Sequence, residues 1–385
     1  MLAVKKITTN CPSDGYEILS LPLHLFVLLL LVVGYACSDS VNSVKLEPVT
    51  IQALDSLSVN EIDTVADSDQ LILSTSNGVF AVKDEQAFLA GMQGKTINNL
   101  VVLDQQTMLA SIPSSGENGA TTLFRTTNGG QSWNGFMRNW GGKDKISFVG
   151  DLAVDPTNNK RLLGRGMANV VSSSDGGRTW HSMFRKWNTF VANPKFVKIN
   201  HNDPKVIMGG GSNAVFQPDF FISEDNGETW NHYHNKVQIF EDRHGRFESA
   251  VTSLVIKDGD SDNLLISLCC FFSDIFRSED GGETWEQSFL ESREEFLTFD
   301  FTYALSVLAA SPNDPNTVYA SGQNQQGILF YAVTRDFGDT WETIDVPDTP
   351  SGISVNDLAV VEHGGRELLL FGTNKGFFRV PVEEN

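Results

Sequence analysis

Two stretches of this chain concentrate carboxylates that could face one another across a substrate: Glu241, Asp242 and Glu248 in the first, and Glu294, Glu295 and Asp300 in the second. A pair of such groups is what glycoside cleavage requires, one side chain donating a proton to the leaving oxygen and the other attacking or activating water. Glu248, Asp300 and Glu294 are the catalytic candidates on this basis. The signal is diluted by abundance, because the chain carries 48 Asp and Glu against 28 Lys and Arg, a formal charge of −20. The same stretches and two others hold aromatic and arginine side chains: Trp140, Trp187, Tyr233, Arg243, Arg246 and Tyr303. Flat rings beside guanidinium groups suit recognition of a sugar or a peptide by stacking, cation–π contact and paired hydrogen bonds. These six are the binding candidates.

Metal chemistry finds less support. His232, His234 and His244 lie near one another but have no cysteine or carboxylate partner in a zinc-type spacing. Asp258-Gly-Asp-Ser-Asp-Asn263 opens like a calcium loop, yet the twelfth position is Cys269 where a bidentate Glu is needed. It reads as a turn. Cys269 and Cys270 are adjacent in an apolar run, so in a strand they point to opposite faces and are read as buried thiols. No metal and no cofactor are expected.

What positions these residues is a phrase that occurs five times. Thr126-Thr-Asn-Gly-Gly-Gln-Ser-Trp133 recurs as Ser173–Trp180, Ser223–Trp230, Ser278–Trp285 and Thr334–Trp341, always in the pattern Ser/Thr-x-Asp/Asn-x-Gly-x-Ser/Thr-Trp. Successive tryptophans fall 47, 50, 55 and 56 residues apart, the size of one propeller blade. The Asp or Asn can accept backbone N–H groups and close a turn, the fifth-position Gly supplies a positive φ, and the Trp begins the next strand. Asn128, Asp175, Asp225 and Asp280, with Asp336 and the five tryptophans Trp133, Trp180, Trp230, Trp285 and Trp341, are therefore assigned structural roles.

On these residues the chain resembles the Asp-box, or BNR, repeat family of sialidases, sortilin-type receptors, xyloglucanases and photosystem II assembly factors. The resemblance implies a β-propeller whose repeated turns lie away from the binding face. Sialidases of that group also carry an Arg-Ile-Pro tripeptide, which is missing here: Ser111-Ile-Pro113 lacks the arginine.

Strand–turn–strand signals precede each phrase, as in Leu152–Gly164, Val197–Gly209, Leu254–Ile266 and Val307–Tyr319. Two further units lack the phrase but echo one another, Leu73–Val82 and Phe371–Val380. The expected fold is all-β: a single seven-bladed β-propeller of four-stranded antiparallel blades over residues 53–385. The last unit ends after its third strand, so Val44–Leu54, which runs from a tether and ring-closing strand at 37–52 into the start of the propeller, is expected to complete it and leave no open edge. The candidate residues then fall on the connections between blades, Asn134–Lys145, His181–Lys195, Asn231–Ala250 and Glu286–Tyr303, which share one face.

Residues 1–36 read as a signal peptide, with the apolar run Leu21–Val33 ahead of Ala36-Cys37. Cys37 is the candidate lipidation site of a bacterial lipoprotein; a plain cleaved signal and an uncleaved anchor are the alternatives. The expected location is the cell envelope, periplasmic or at the outer membrane, or outside the cell. A net charge of −20 repels phosphate backbones and excludes nucleic acid as a natural partner. The expected partner is a protein or glycan on the loop-rich face, with membrane contact only through the N-terminal lipid, and a monomer is expected. The function that follows is a binding or assembly module. The alternative is a carbohydrate-active enzyme, hydrolase or lyase, with its carboxylate pair on the same loops.

Overall fold

The computed structural model describes residue Leu54 and residues 56–65, 68–83, 86–113, 123–135, 149–166, 169–184, 193–212, 218–233, 249–270, 274–288, 303–324, 327–346 and 348–382. The chain divides into two units, Met1–Val41 and Asn42–Asn385, and all described residues belong to the second.

Those residues form seven antiparallel meanders. Blade 1 comprises β1 (Val59–Thr64), β2 (Leu71–Thr75), β3 (Gly78–Lys83) and β4 (Gln86–Leu89), and blade 2 comprises β5 (Asn99–Val102), β6 (Met108–Ser111), β7 (Leu123–Thr126) and β8 (Asn134–Gly135). Blade 3 is β9 (Asp151–Asp155), β10 (Asn158–Arg165), β11 (Val170–Ser173) and β12 (His181–Phe184). Blade 4 is β13 (Asn193–Ile199), β14 (Ile207–Ser212), β15 (Pro218–Ser223) and β16 (Asn231–His232). Blade 5 is β17 (Ser249–Lys257), β18 (Asp260–Cys270), β19 (Ile275–Ser278) and β20 (Glu286–Ser288). Blade 6 is β21 (Tyr303–Ala310), β22 (Val318–Asn324), β23 (Leu329–Thr334) and β24 (Glu342–Asp345). Blade 7 has three strands among the described residues, β25 (Val355–His363), β26 (Arg366–Thr373) and β27 (Gly376–Pro381). The architecture is the seven-bladed propeller that the repeats imply.

A blade cannot bury both of its faces alone, and here each seam between neighbours holds its own apolar core. Phe196, Met208, Phe220, Leu254, Ile266 and Trp285 fill one seam between blades 4 and 5; Leu109, Val149, Leu162, Val171 and Trp180 fill that between blades 2 and 3. Every phrase tryptophan enters the seam between its own blade and the preceding one. The indole N–H groups of Trp180, Trp230 and Trp285 donate to the carbonyl of the Gly three residues back, each at 3.1 Å. Trp133 and Trp341 reach across the seam instead, to the Ala90 carbonyl and to Ser288 Oγ.

The phrase folds as a closed hydrogen-bonded turn. In blade 3 the Ser173 hydroxyl donates to Asp175 at 2.9 Å and accepts the Gly177 N–H, while Asp175 accepts both the N–H and the hydroxyl of Thr179. Blades 4, 5 and 6 repeat the set around Asp225, Asp280 and Asp336. In blade 2 Asn128 replaces the carboxylate and reverses one bond, its amide donating to Ser132 Oγ. The fifth-position glycines have φ between 77° and 97°. The fourth position is left-handed as well, and Asn226 (64°) and Phe337 (53°) adopt this conformation with a Cβ in place. Each tryptophan lies one residue before the fourth strand rather than within it, and the fourth strands take up the first residues of the expected connections. Asp258 and Gly259 form the two-residue turn between β17 and β18.

The two units without the phrase are the hairpins β2–β3 and β26–β27. Thr75 and Thr373 play the same part in each, their hydroxyls donating to the carbonyls of Gly78 and Gly376 at 2.8 Å. The expected ring-closing segment Val44–Leu54 lies outside the described residues except for Leu54, which is buried among Val59, Phe80, Leu370 and Phe377 at the seam of blades 7 and 1.

Candidate functional site: the channel wall and the connection face

The innermost strand of every blade presents an edge of backbone N–H and C=O groups to the central channel, and those groups need partners. The chain supplies them from the preceding blade. Asp357 Oδ2 accepts the Ile62 N–H at 2.7 Å, Glu61 accepts that of Leu100, Asp151 Oδ2 accepts that of Val197 at 2.9 Å, and Ser253 Oγ accepts that of Leu308 at 3.2 Å. In each case a polar side chain on one inner strand caps the middle of the next. Asp63 adds a second tier below Glu61, taking the Val102 N–H at 2.7 Å. Lys198 works in the opposite sense, its ammonium donating to the Leu254 carbonyl at 2.8 Å. The acceptors Asp357, Glu61 and Ser253 each directly follow a β-bulge, which turns the side chain along the edge toward its neighbour.

These groups sit on the inner strands, Glu61, Asp63, Asp151 and Asp357 half-buried and Lys198 exposed at its surface but surrounded by protein beneath. Desolvation is accordingly the main influence on their protonation. It pushes Asp63 and Asp151 up to about 6, against the pull of the backbone N–H bonds each accepts. Burial, with the nearby Asp357 charge, raises Glu61 well above the usual carboxylate range, and burial raises Asp357 itself. Lys198 is lowered by burial, with Asp151 and Asp357 opposing the shift. Carboxyls poised near neutrality in a channel have the protonation behaviour of acid–base groups. Here each accepts at least one backbone N–H of the scaffold, and Asp63 engages both oxygens, one with Val102 and one with Thr64. Among the described residues no group of three His, Cys, Asp or Glu side chains is arranged to hold a metal ion.

On blade 4, Asp219 is fully buried and pairs with His232 Nε2 at 2.6 Å. Tyr233, the next residue, lies over Phe220 with ring centroids 6.5 Å apart and planes inclined by 22°, and its N–H donates to the Phe220 carbonyl. Half-buried against the seam core, Tyr233 anchors the end of β16 as well as standing at the start of a connection. Tyr303 opens β21, its backbone paired with Asn324. Trp140, Trp187, Arg243, Arg246, Glu248, Glu294, Asp300 and Cys37 lie outside the described residues. The channel residues Glu61, Asp63, Asp151, Lys198 and Asp357 were missed by sequence reasoning. Each acidic residue stands directly before an apolar one in the first strand of its unit, as in Glu61-Ile62, Asp151-Leu152 and Asp357-Leu358, a pattern that an ordinary alternating strand also shows.

No protein-family model matches this chain, and no curated protein matches it. Solved structures do resemble its fold. A GH74 xyloglucanase from Xanthomonas campestris superposes with a TM-score of 0.65 at 15% identity, over 87% of this chain and 53% of that one. YCF48 from Cyanidioschyzon merolae gives 0.60 at 13% identity, over 89% of this chain and 99% of that protein. The extracellular domain of a hybrid two-component system protein from B. thetaiotaomicron gives 0.61 at 10% identity, over 89% and 40%. This chain thus spans about half the xyloglucanase and less than half of the third protein. At such identities the likeness is one of fold.

Proposed function

We propose that this protein is an exported propeller, lipid-anchored through Cys37, that binds a protein or glycan on the face carrying its inter-blade connections. The reading rests on one observation, the path of the chain. At Gly135, Phe184, Tyr233 and Ser288 it leaves the fourth strands, and at Asp151, Asn193, Ser249 and Tyr303 it re-enters the first strands, always at the same end of the blades. The intervening residues include Trp140, Trp187, Arg243 and Arg246, side chains suited to stacking and to paired hydrogen bonds. A rigid ring carrying variable connections is the usual division of labour between scaffold and recognition. The carboxylates of the channel wall are engaged with backbone N–H groups, which favours a holding role over a cleaving one for the scaffold itself. A ring shared with a GH74 xyloglucanase and with YCF48 supports seeking the function in the connections rather than in the ring itself.

The experiment is a glycan-array and polysaccharide-cleavage screen on the full chain, with Glu248→Gln and Asp300→Asn alongside. Binding without product release, unchanged by either substitution, is the expected outcome for a glycan partner. Silence in the screen together with a specific envelope protein retained by the chain, and lost in Trp187→Ala, is the expected outcome for a protein partner. Product release abolished by either carboxylate substitution would instead make this a glycoside-cleaving enzyme.

A further inference from the structure

The rim carrying the repeated turns holds a second feature, legible only by comparing equivalent blade junctions. Each turn rests on the blade before it. At the junction of blades 5 and 6, Arg277 occupies the position just ahead of the blade 5 turn. Its guanidinium is paired with Glu279, second residue of its own turn, and with Asp339, sixth residue of the blade 6 turn. At the junction of blades 2 and 3 the same three positions are Arg125, Thr127 and Arg178. The arginine is kept, one counter-ion has become a hydroxyl and the other a second arginine.

The consequence is a pair of neighbouring cations without the direct ion pairs that serve Arg277. Arg125 Nε donates to the Gly176 carbonyl at 3.0 Å and Arg178 Nη1 to the Asp175 carbonyl at 2.7 Å. Among the described residues, the other guanidinium nitrogens of both have no hydrogen-bond or ion-pair partner, nor do the Thr127 hydroxyl and the Asn134 carboxamide. Arg125, Arg178, Thr127, Asn134 and Gly135 together line a pocket of about 240 Å³. Burial and then the Arg178 charge lower the pKa of Arg125, with Asp104 and Asp175 opposing the shift.

We propose that the pocket binds a tetrahedral oxyanion, phosphate or sulfate, free or as an ester on a larger ligand. Guanidinium groups present planar forks of N–H donors that match oxyanion geometry, and two of them together favour a dianion over a single carboxylate. The Thr127 hydroxyl and Asn134 amide supply further donors, and the pocket has room for the ion and the first atoms of a substituent. The bound ion takes the place of the two carboxylates that serve Arg277. Arg125, Thr127 and Arg178 flank or belong to the repeated turns, and Asn134 and Gly135 form the short strand just after the blade 2 turn, so the site is tested by its own variants, apart from the binding role proposed for the residues beyond Gly135.

The test is titration of the full chain with inorganic phosphate, sulfate, methyl phosphate and acetate at matched ionic strength, read by calorimetry and by the melting temperature. Arg178→Gln removes one fork. Arg178→Asp rebuilds the counter-ion found at the junction of blades 5 and 6, so it is expected to fold and melt at or above the parent temperature. The expected result is saturable binding of phosphate or sulfate, weakened at least about tenfold by Arg178→Gln and abolished by Arg178→Asp. Methyl phosphate binding as well as phosphate points to an ester ligand, and exclusion of methyl phosphate to the free ion; both support the oxyanion site. No saturable binding up to about 10 mM, binding undiminished in both variants, or acetate binding equal to phosphate would overturn it.

Discussion

Asp357 and Ile62 are 295 residues apart in sequence and 2.7 Å apart in hydrogen-bond distance, the Asp357 carboxylate accepting the Ile62 N–H across the seam where the ring closes. Beside them the Asn356 amide donates to the Val59 carbonyl at 2.9 Å and to Ser58 Oγ. Blade 7 is thereby joined to blade 1 by the same device that links its neighbours along the channel. Asp357→Ala leaves the Ile62 N–H without its partner and is expected to destabilise the protein by about 1–3 kcal/mol. Asp357→Asn keeps an acceptor and removes a desolvated charge, so it is expected to be no less stable than the parent at pH 7. Urea unfolding of the two variants separates the hydrogen bond from the charge.

The pH dependence of stability has two limbs of opposite sign. Asp63 and Asp151 are pushed up to about 6 in the fold, whereas in the unfolded chain they titrate near about 4. Between those values the folded protein binds more protons than the unfolded one, so the contribution of these groups is full below about pH 4 and is lost as pH rises through 6. Asp175 behaves in reverse. Burial draws its pKa upward, but the hydrogen bonds from Thr179, Ser173 and Arg178 outweigh it and hold the carboxyl at about 2, so its contribution is present above pH 4 and lost on acidification toward 2. Stability is expected to peak between about pH 4 and 5. Asp151→Asn is expected to flatten the decline toward neutrality. Melting temperatures from pH 2 to 8 provide the check, and a parent protein with no decline between pH 5 and 7 would refute the assignment.

The turns predict a contrast between side chain and backbone. Asp175→Asn is expected to be mild, since Asn128 already fills the equivalent place in blade 2 by donating to Ser132. Asp175→Ala removes the acceptor for Thr179 and is expected to lose about 1–2 kcal/mol.

Gly130→Ala is expected to be worse. A Cβ there would lie 2.1 Å from the Ala90 carbonyl oxygen, on a residue with φ of 89°. The seam of blades 1 and 2 must open to admit it, and a loss of more than about 2 kcal/mol is expected in chemical denaturation.

Much of this architecture was readable from the chain because the turn makes demands that few residues meet. Gly177, Gly227, Gly282 and Gly338 stand where φ is positive and the preceding blade presses close, and the tryptophans stand where one large side chain fills a seam. The left-handed conformation of Phe337 was not readable, because there hydrogen bonding and packing override residue preference, whereas Asn226 is of a type that tolerates it. Phe337, buried in the seam of blades 5 and 6, shows what holds it. The channel wall escaped for a different reason. Glu61 and Asp151 look like ordinary members of an alternating strand, and only the packing of one blade against the next reveals that each serves its neighbour's backbone. The oxyanion pocket needed both kinds of information: the alignment of the repeats to equate Arg178 with Asp339, and the packed ring to bring Arg178 beside Arg125.

The junction of Asp357 with Ile62 also bears on how the protein assembles in time. Within a blade every strand pairs with one adjacent in the chain, and each blade meets the next across a short separation, so such contacts form quickly and at small entropic expense. One seam differs: it must draw together segments almost 300 residues apart. Loop-closure entropy grows only slowly with length, by about 0.6 kcal/mol per doubling, so the seam is slow to find and not costly to keep. A chain built from blades 1 to 6 and halted before Val355 would leave the wall of blade 1 without its cap and the ring open. Blade 7 therefore acts as the latch of the propeller, and its arrival converts a row of stacked sheets into a closed ring.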